Sequence, residues 1–135
     1  MSPTFNEGDW LVSFPLAYCF SEPEKDDIIL FERRSLTSGY IIKRVIALPG
    51  ETVQIIDGVV FVDGNVIDDE FCVPDEKNDF GPYTVEEGHY FVLGDNRIES
   101  IDSRYWIEPT VSKKELRGKV FWKFPKNITE FFNSY

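Results

Sequence analysis

Short apolar runs, separated by glycine, proline and acidic residues, follow one another along the whole chain of 135 residues. Seven of them have the length and the β-branched or aromatic content of a strand: residues 10–14, 28–31, 40–48, 52–56, 59–62, 89–93 and 119–124. Asp57-Gly58 predicts a tight hairpin, and Asp63-Gly64 repeats the signal. Only residues 111–116 favour a helix, of one or two turns, with Ser112 and Glu115 in a capping-box arrangement. The pattern predicts an all-β, barrel-like domain of twisted antiparallel sheets with little helix.

Four segments interrupt the strand pattern. Residues 1–9 are predicted to form a loop, residues 15–27 an irregular arm, residues 68–81 an acidic surface loop and residues 125–135 a C-terminal tail. Aromatic residues in the arm and the tail either pack on the core or contact a partner; they are Tyr18, Phe20, Phe131, Phe132 and Tyr135. Because both segments look loosely attached, a dimer that exchanges a segment is a further hypothesis.

The composition bounds the function. A single domain of this size is large enough for a sizeable core, and 42% of its residues are hydrophobic. The net charge of −10 argues against a nucleic-acid partner, which would require a basic surface. The sequence has no run long and apolar enough for a transmembrane helix. No cofactor motif is present, and one histidine with the distant Cys19 and Cys72 does not form a metal-binding pattern.

Lys43 is a candidate general base. Alternation along residues 40–48 places it on one face with Ile41, Val45 and Ala47, and puts Arg44 on the opposite face. Apolar surroundings lower the pKa of a lysine and so leave it able to accept a proton. The structural alternative is a lysine at a strand edge that extends its amine to solvent. A Ser-His-Asp triad would need His89, which has no catalytic motif around it.

The polar cluster at residues 94–104 has two interpretations as well. It contains two arginines, three acids, an asparagine and two serines directly after a predicted strand. A loop held by its own ion pairs and hydrogen bonds would explain it. A functional site is the alternative, because a plain turn needs fewer polar groups.

Three segments together resemble the sequence boxes of the type I signal peptidases, which are membrane-anchored serine proteases with a Ser/Lys dyad. Residues 94–104 (Gly-Asp-Asn-Arg-x-x-Ser-x-Asp-Ser-Arg) resemble the last box, and residues 40–51 resemble the lysine box. Met1-Ser2-Pro3-Thr4, followed by Gly8-Asp9, resembles the serine box. The order and spacing agree from residue 1 to about residue 124, so the resemblance implies one extracytoplasmic domain with a peptide-binding cleft.

The resemblance assigns roles to individual residues. Lys43 falls on the general base, and Ser100 on the serine that orients it. Asp102 and Arg104 resemble an ion pair beneath the site, and Asp95 and Arg97 a second polar support. Further motif positions are structural or flank the nucleophile: Arg44, Gly94, Asn96, Met1, Pro3 and Thr4.

The nucleophile is the main departure from the family. In the family the serine stands immediately before the methionine of the serine box, and here that methionine is Met1. Ser2 lies one position too late. Residues 1–9, called the serine-box loop below, are therefore expected to lack the serine. Smaller departures, such as Ile98-Glu99 and Ala47, indicate a divergent member.

Two functions follow from the resemblance. The first is a signal peptidase whose anchor lies outside this chain, on the extracytoplasmic face of the membrane, and which cleaves signal peptides or pre-proteins if a serine precedes Met1. The second is a non-catalytic homologue that binds peptides and assists pilus assembly, with pilus subunits as partners, as in Gram-positive pilus gene clusters. The residue before Met1 distinguishes them.

Overall fold

The computed structural model describes residues 1–67, 70 and 72–124. Within them the elements are β1 (Trp10–Phe14), α1 (Ala17–Phe20), β2 (Ile28–Glu32), β3 (Tyr40–Ala47), β4 (Thr52–Ile56), β5 (Val59–Val62), β6 (Asn65–Val66), β7 (Phe80–Thr84), β8 (His89–Leu93), β9 (Val111–Ser112), a 3₁₀ turn (Lys113–Glu115) and β10 (Leu116–Phe124). None of the described helices is long and apolar enough to cross a membrane. The aromatic tail lies outside the described residues.

Two antiparallel sheets make up the domain. The larger has the strand order β1-β10-β2-β3-β8-β9, and the smaller has the order β6-β5-β4-β7. Asp57 and Gly58 both have positive φ, as the predicted hairpin between β4 and β5 requires. The prediction of an all-β fold with little helix is confirmed.

Two apolar clusters form the core. The first lies around the smaller sheet and the ends of β3 and β8: Ile46, Ala47, Val53, Ile55, Val60, Val62, Val85, Phe91 and Leu93. The second joins the larger sheet to the arm: Tyr18, Ile29, Phe31, Val45, Tyr90, Val92, Trp106 and Val111. Tyr18 of the arm therefore packs on the core, whereas Phe20 is 90% exposed.

The predicted faces of β3 change within the strand. The pairing of β3 with β8 is irregular between Val45 and Ala47. Ala47 consequently lies in the same cluster as Ile46, and not with Val45 as the alternation predicted. A bulge adds one residue to a strand and so reverses the faces beyond it.

Three other local predictions differ from the structure in part or in full. The segment 111–116 contains one helical turn, a 3₁₀ turn with the predicted capping box of Ser112 and Glu115, but its two ends belong to the strands β9 and β10. The strand β7 begins at Phe80, inside the stretch predicted as loop, because pairing with β4 outweighs its glycine and proline. The arm contains the one-turn helix α1, where only irregular structure was expected.

Arg33, just after β2, is a buried cation that joins distant segments. Its guanidinium donates to both carboxylate oxygens of Glu115, at 2.7 and 2.8 Å. It also donates to the carbonyls of Glu108 and Thr110, at 3.1 and 2.6 Å. The same group lies 4.8 Å from the centre of the Trp106 ring. Arg33 thus attaches the connection before β9 to the larger sheet.

Replacement of Arg33 by alanine should lower the free energy of unfolding by about 3–5 kcal/mol, because it leaves a carboxylate and two carbonyls without their donor. The neighbouring Arg34 has a side chain that is 90% exposed, and it is the matched control. Arg34→Ala should cost less than about 0.5 kcal/mol. Denaturant titration measures both values, and equal losses would show that Arg33 does not hold the fold together.

Candidate active site

Asp102 holds the polar loop that follows β8. Its carboxylate is fully buried and accepts two hydrogen bonds from the Arg104 guanidinium, at 2.8 and 3.0 Å. It also accepts the N–H of Gly94 at 3.1 Å. Arg104 donates in addition to the carbonyls of Arg97 and Ser100, at 2.8 and 3.3 Å. The pair therefore closes the loop from residue 94 to residue 104, as an ion pair beneath the site would.

A second buried pair joins this loop to β3. Arg44 donates to both oxygens of Asp95, each at 2.9 Å, and the two side chains are 8% and 1% exposed. The hydroxyl of Thr4 donates to the same carboxylate. Asp95, which belongs to the polar loop, thus contacts both the serine-box loop and β3, the strand that contains Lys43.

Lys43 and Ser100 approach each other over Gly94. A Cβ built on Gly94 would stand 2.1 Å from Ser100 Oγ and 3.5 Å from Lys43 Nζ. The two side-chain ends therefore lie close to the same point above Gly94. Any side chain at residue 94 would therefore displace Ser100. The hydroxyl of Ser100 is buried without a hydrogen-bond partner among the described residues. Its role in orienting Lys43 accordingly stays a prediction.

Burial lowers the pKa of Lys43 below its ordinary value of 10.5. The nearby Asp102 raises this pKa, but Arg104 lowers it again. Asp95 also raises it, and the contribution of each of these charges is smaller than that of burial. Loss of hydration therefore decides the direction, and the amine is easier to deprotonate than an exposed lysine.

The amino group of Met1 lies within electrostatic range of Lys43. The pKa of this amino group is lowered from the ordinary value of 8.0, first by burial and then by the positive charge of Lys43, while Asp95 and Glu99 act in the opposite direction. The N–H of Phe5 donates to the carbonyl of Met1 at 3.1 Å and closes a turn. In a longer chain the same nitrogen would be the amide nitrogen that joins Met1 to the residue before it.

The remaining motif positions shape the loops. Arg97 donates from Nε to the carbonyl of Gly94 at 2.9 Å. The carbonyl of Asn96 accepts the N–H of Ser100 at 2.8 Å, which makes a turn. A parallel bridge pairs Asn96 with Val73. Pro3 follows a cis peptide bond in the serine-box loop.

Sequence reasoning missed two contributors. Ser103 is fully buried, and its hydroxyl accepts the N–H of Val92 at 2.9 Å, so it holds the end of β8 against the loop. Its place between Asp102 and Arg104 in the motif was the available signal. The hydroxyl of Thr4 was treated only as a flank of the nucleophile, because its partner, Asp95, is 91 positions away.

Known proteins are similar to this chain over most of its length. Residues 1–124 match the family described as signal peptidase, peptidase S26. A probable signal peptidase I-1 of Synechocystis sp. is 40% identical over 113 residues, which are 78% of this chain and 58% of that protein. Signal peptidase I of Bacillus licheniformis is 33% identical over 138 residues, 94% of this chain and 73% of that protein.

A solved structure is similar as well. The crystal structure of a signal peptidase I from Enterococcus faecalis superposes with a TM-score of 0.62 at 32% identity, and the match covers 75% of this chain and 98% of that one. The chain spans about three fifths of the length of its Synechocystis relatives. Since the family match extends over nearly all described residues, the chain belongs to the type I signal peptidase family, peptidase S26.

Proposed function

We propose that this chain is the extracytoplasmic domain of a membrane-anchored signal peptidase that cleaves signal peptides from pre-proteins. In this proposal a serine directly before Met1 is the nucleophile, Lys43 is the general base and Ser100 orients Lys43. The observation that supports it is the electrostatic interaction of the Met1 amino group with Lys43, a lysine whose pKa is lowered by burial.

The order of residues in the serine-box loop favours the residue before Met1, and not Ser2, as the nucleophile. One residue of extended chain covers about 3.3–3.6 Å, whereas a nucleophile must come within about 2.6–3.2 Å of its base. In this proposal a residue attached to the Met1 nitrogen continues towards Lys43, whose charge already acts on that nitrogen. Ser2 lies on the other side of Met1, where the chain turns towards Pro3 and the Thr4–Asp95 contact.

The proposed chemistry balances with these groups alone. The serine oxygen attacks the carbonyl carbon of the scissile peptide bond, and its proton passes to Lys43 Nζ. Lys43 then returns that proton to the leaving amine as the bond breaks. Lys43 next takes a proton from a water molecule, which attacks the ester carbonyl; the ester C–O bond breaks, and Lys43 returns that proton to the serine oxygen as the carboxylic acid product leaves. The amide of the serine itself is the proposed donor to the oxyanion.

An open edge of β3 offers a place for the peptide. β2 pairs with the whole stretch from Tyr40 to Arg44, but β8 pairs with β3 only from Arg44 onwards. Residues 40–43 therefore present backbone groups on the side where β8 has ended. A substrate in extended conformation can add there as a further strand, which brings its backbone to Lys43.

The cleavage assay compares four polypeptides in detergent or lipid. The chain extended upstream, with serine directly before Met1, should release product from a pre-protein. Lys43→Ala in that chain should reduce the rate by about 10²–10⁴-fold, because it removes the general base. Replacement of the upstream serine by alanine should abolish cleavage, and the polypeptide 1–135 should bind signal-peptide segments weakly and cleave none.

Two results would contradict this proposal. Cleavage by residues 1–135, lost on Ser2→Ala, would show that the nucleophile is Ser2. An extended serine-containing chain that binds signal peptides but never cleaves them would favour the non-catalytic assembly factor.

The lowered pKa of Lys43 has a second consequence, for stability. Below its folded-state pKa the lysine is protonated in both the folded and the unfolded chain, so burial of the charge costs stability in full. As the pH rises from the folded-state pKa towards 10.5, the folded chain loses its proton first, and this cost disappears. Lys43→Met should therefore raise the free energy of unfolding more at pH 7 than at pH 10.5.

Denaturant titration at the two pH values measures this difference. The exposed Lys114→Met serves as a control for the loss of one positive charge from the chain. A gain from Lys43→Met that is the same at both pH values would mean that Lys43 is not held in a desolvated position.

A further inference from the structure

Lys123, near the end of β10, contacts the serine-box loop at three points. Its ammonium donates to the carbonyl of Thr4. It lies 5.6 Å from the centre of the Phe5 ring and 3.9 Å from the Asp9 carboxylate. Lys123 is paired with Leu11 of β1, so the sheet itself fixes the origin of this side chain.

Thr4 is consequently held at two ends by distant parts of the fold. Its hydroxyl donates to Asp95, and its carbonyl accepts from Lys123. The turn that follows is anchored internally, since Asp9 Oδ2 accepts the N–H of Asn6 at 2.9 Å. The next residue, Phe5, donates its N–H to the Met1 carbonyl, so a shift of Thr4 would also shift Met1.

An ordinary surface ion pair would not have this effect, and the same strand contains one for comparison. Lys119 pairs with Asp27 at 3.1 Å, with side chains 42% and 10% exposed. Lys123 and Asp9 have nearly the same exposures, 42% and 11%. What distinguishes Lys123 is the backbone carbonyl of Thr4 and the aromatic face of Phe5. Charge-assisted bonds to backbone fix geometry, whereas exposed ion pairs alone contribute little.

We propose that Lys123 is a positioning residue that clasps the serine-box loop through Thr4 and Phe5, and so sets where the residue before Met1 meets Lys43. The effect of Lys123 on catalysis rests on the proposed function. The contacts by which Lys123 holds the serine-box loop involve only residues of this chain. Lys123 touches no reacting atom. It acts through the loop, with Asp95 and Arg44 holding the opposite side.

The test uses the single methionine of the chain. Labelling with methionine that carries ¹³C only at Cα gives one NMR signal, from Met1, in polypeptide 1–135 released from a cleavable fusion so that Met1 is retained. The titration of that signal measures the pKa of the Met1 amino group. In the parent chain this pKa should lie below 8.0, because burial and Lys43 both lower it.

Lys123→Met keeps the aliphatic stem but removes the donor, so the pKa of the Met1 amine should rise towards 8.0 as the loop moves away from Lys43. Lys123→Arg should restore part of the effect, because it returns a cation to Phe5 and a donor to Thr4. Lys119→Met should leave the pKa at the parent value. An unchanged pKa in Lys123→Met would overturn the proposal, as would an equal rise in Lys119→Met.

The cleavage assay adds a second readout, in the chain that carries the upstream serine. Lys123→Met should lower kcat about tenfold to a hundredfold, as expected when a reacting group is displaced by about 1 Å. KM should stay close to the parent value, because the edge of β3 is unaltered. A change in KM alone would overturn the positioning role. If the parent chain does not cleave at all, the proposed function fails. The titration of Met1 still tests whether Lys123 holds the serine-box loop in place.

Discussion

Two buried carboxylates, those of Asp95 and Asp102, set the condition on which the rest of the site depends. Their side chains are 1% and 0% exposed, and each meets one arginine through two hydrogen bonds. A buried carboxylate that loses its partner costs several kcal/mol, about 3–5 in measured cases. Arg44 and Arg104 must therefore stay in place. Because Arg44 belongs to β3 and Asp95 to the polar loop, this pairing also decides how the loop lies on the sheet.

The same pairing explains the electrostatics of Lys43. Asp102 and Asp95 raise the pKa of Lys43, and Arg104, the partner of Asp102, lowers it. Loss of hydration is the largest influence, and it favours the neutral amine. Gly94 contributes through the side chain it lacks, because a Cβ there would occupy the space in which Ser100 and Lys43 approach. Burial next to these ion pairs thus leaves the pKa of Lys43 below its ordinary value.

The serine-box loop depends on contacts of another kind. It contains no strand, and its position comes from the Thr4 hydroxyl at Asp95, the Thr4 carbonyl at Lys123 and a turn between Met1 and Phe5. The first two contacts cross from the loop to opposite sides, one to the polar loop and one to β10. Such a loop keeps its register only while both sides hold it.

Local physical chemistry already determined much of this protein. Alternation and turn residues predicted β1, β4, β5 and β8 at their observed bounds, because pleat period and positive-φ turns are properties of neighbouring residues. The resemblance of the sequence boxes to those of the family, and not local chemistry, selected Lys43, Ser100, Asp102 and Arg104 as candidates. Only the tertiary structure decided which charges meet: Arg44 and Asp95 are 51 positions apart, and Thr4 and Asp95 are 91 apart. It likewise decided the bulge after Val45 and the early start of β7, since both arise from pairing with other strands. The pKa of Lys43 belongs to this second group, because burial and compensated charges exist only once distant segments have packed together.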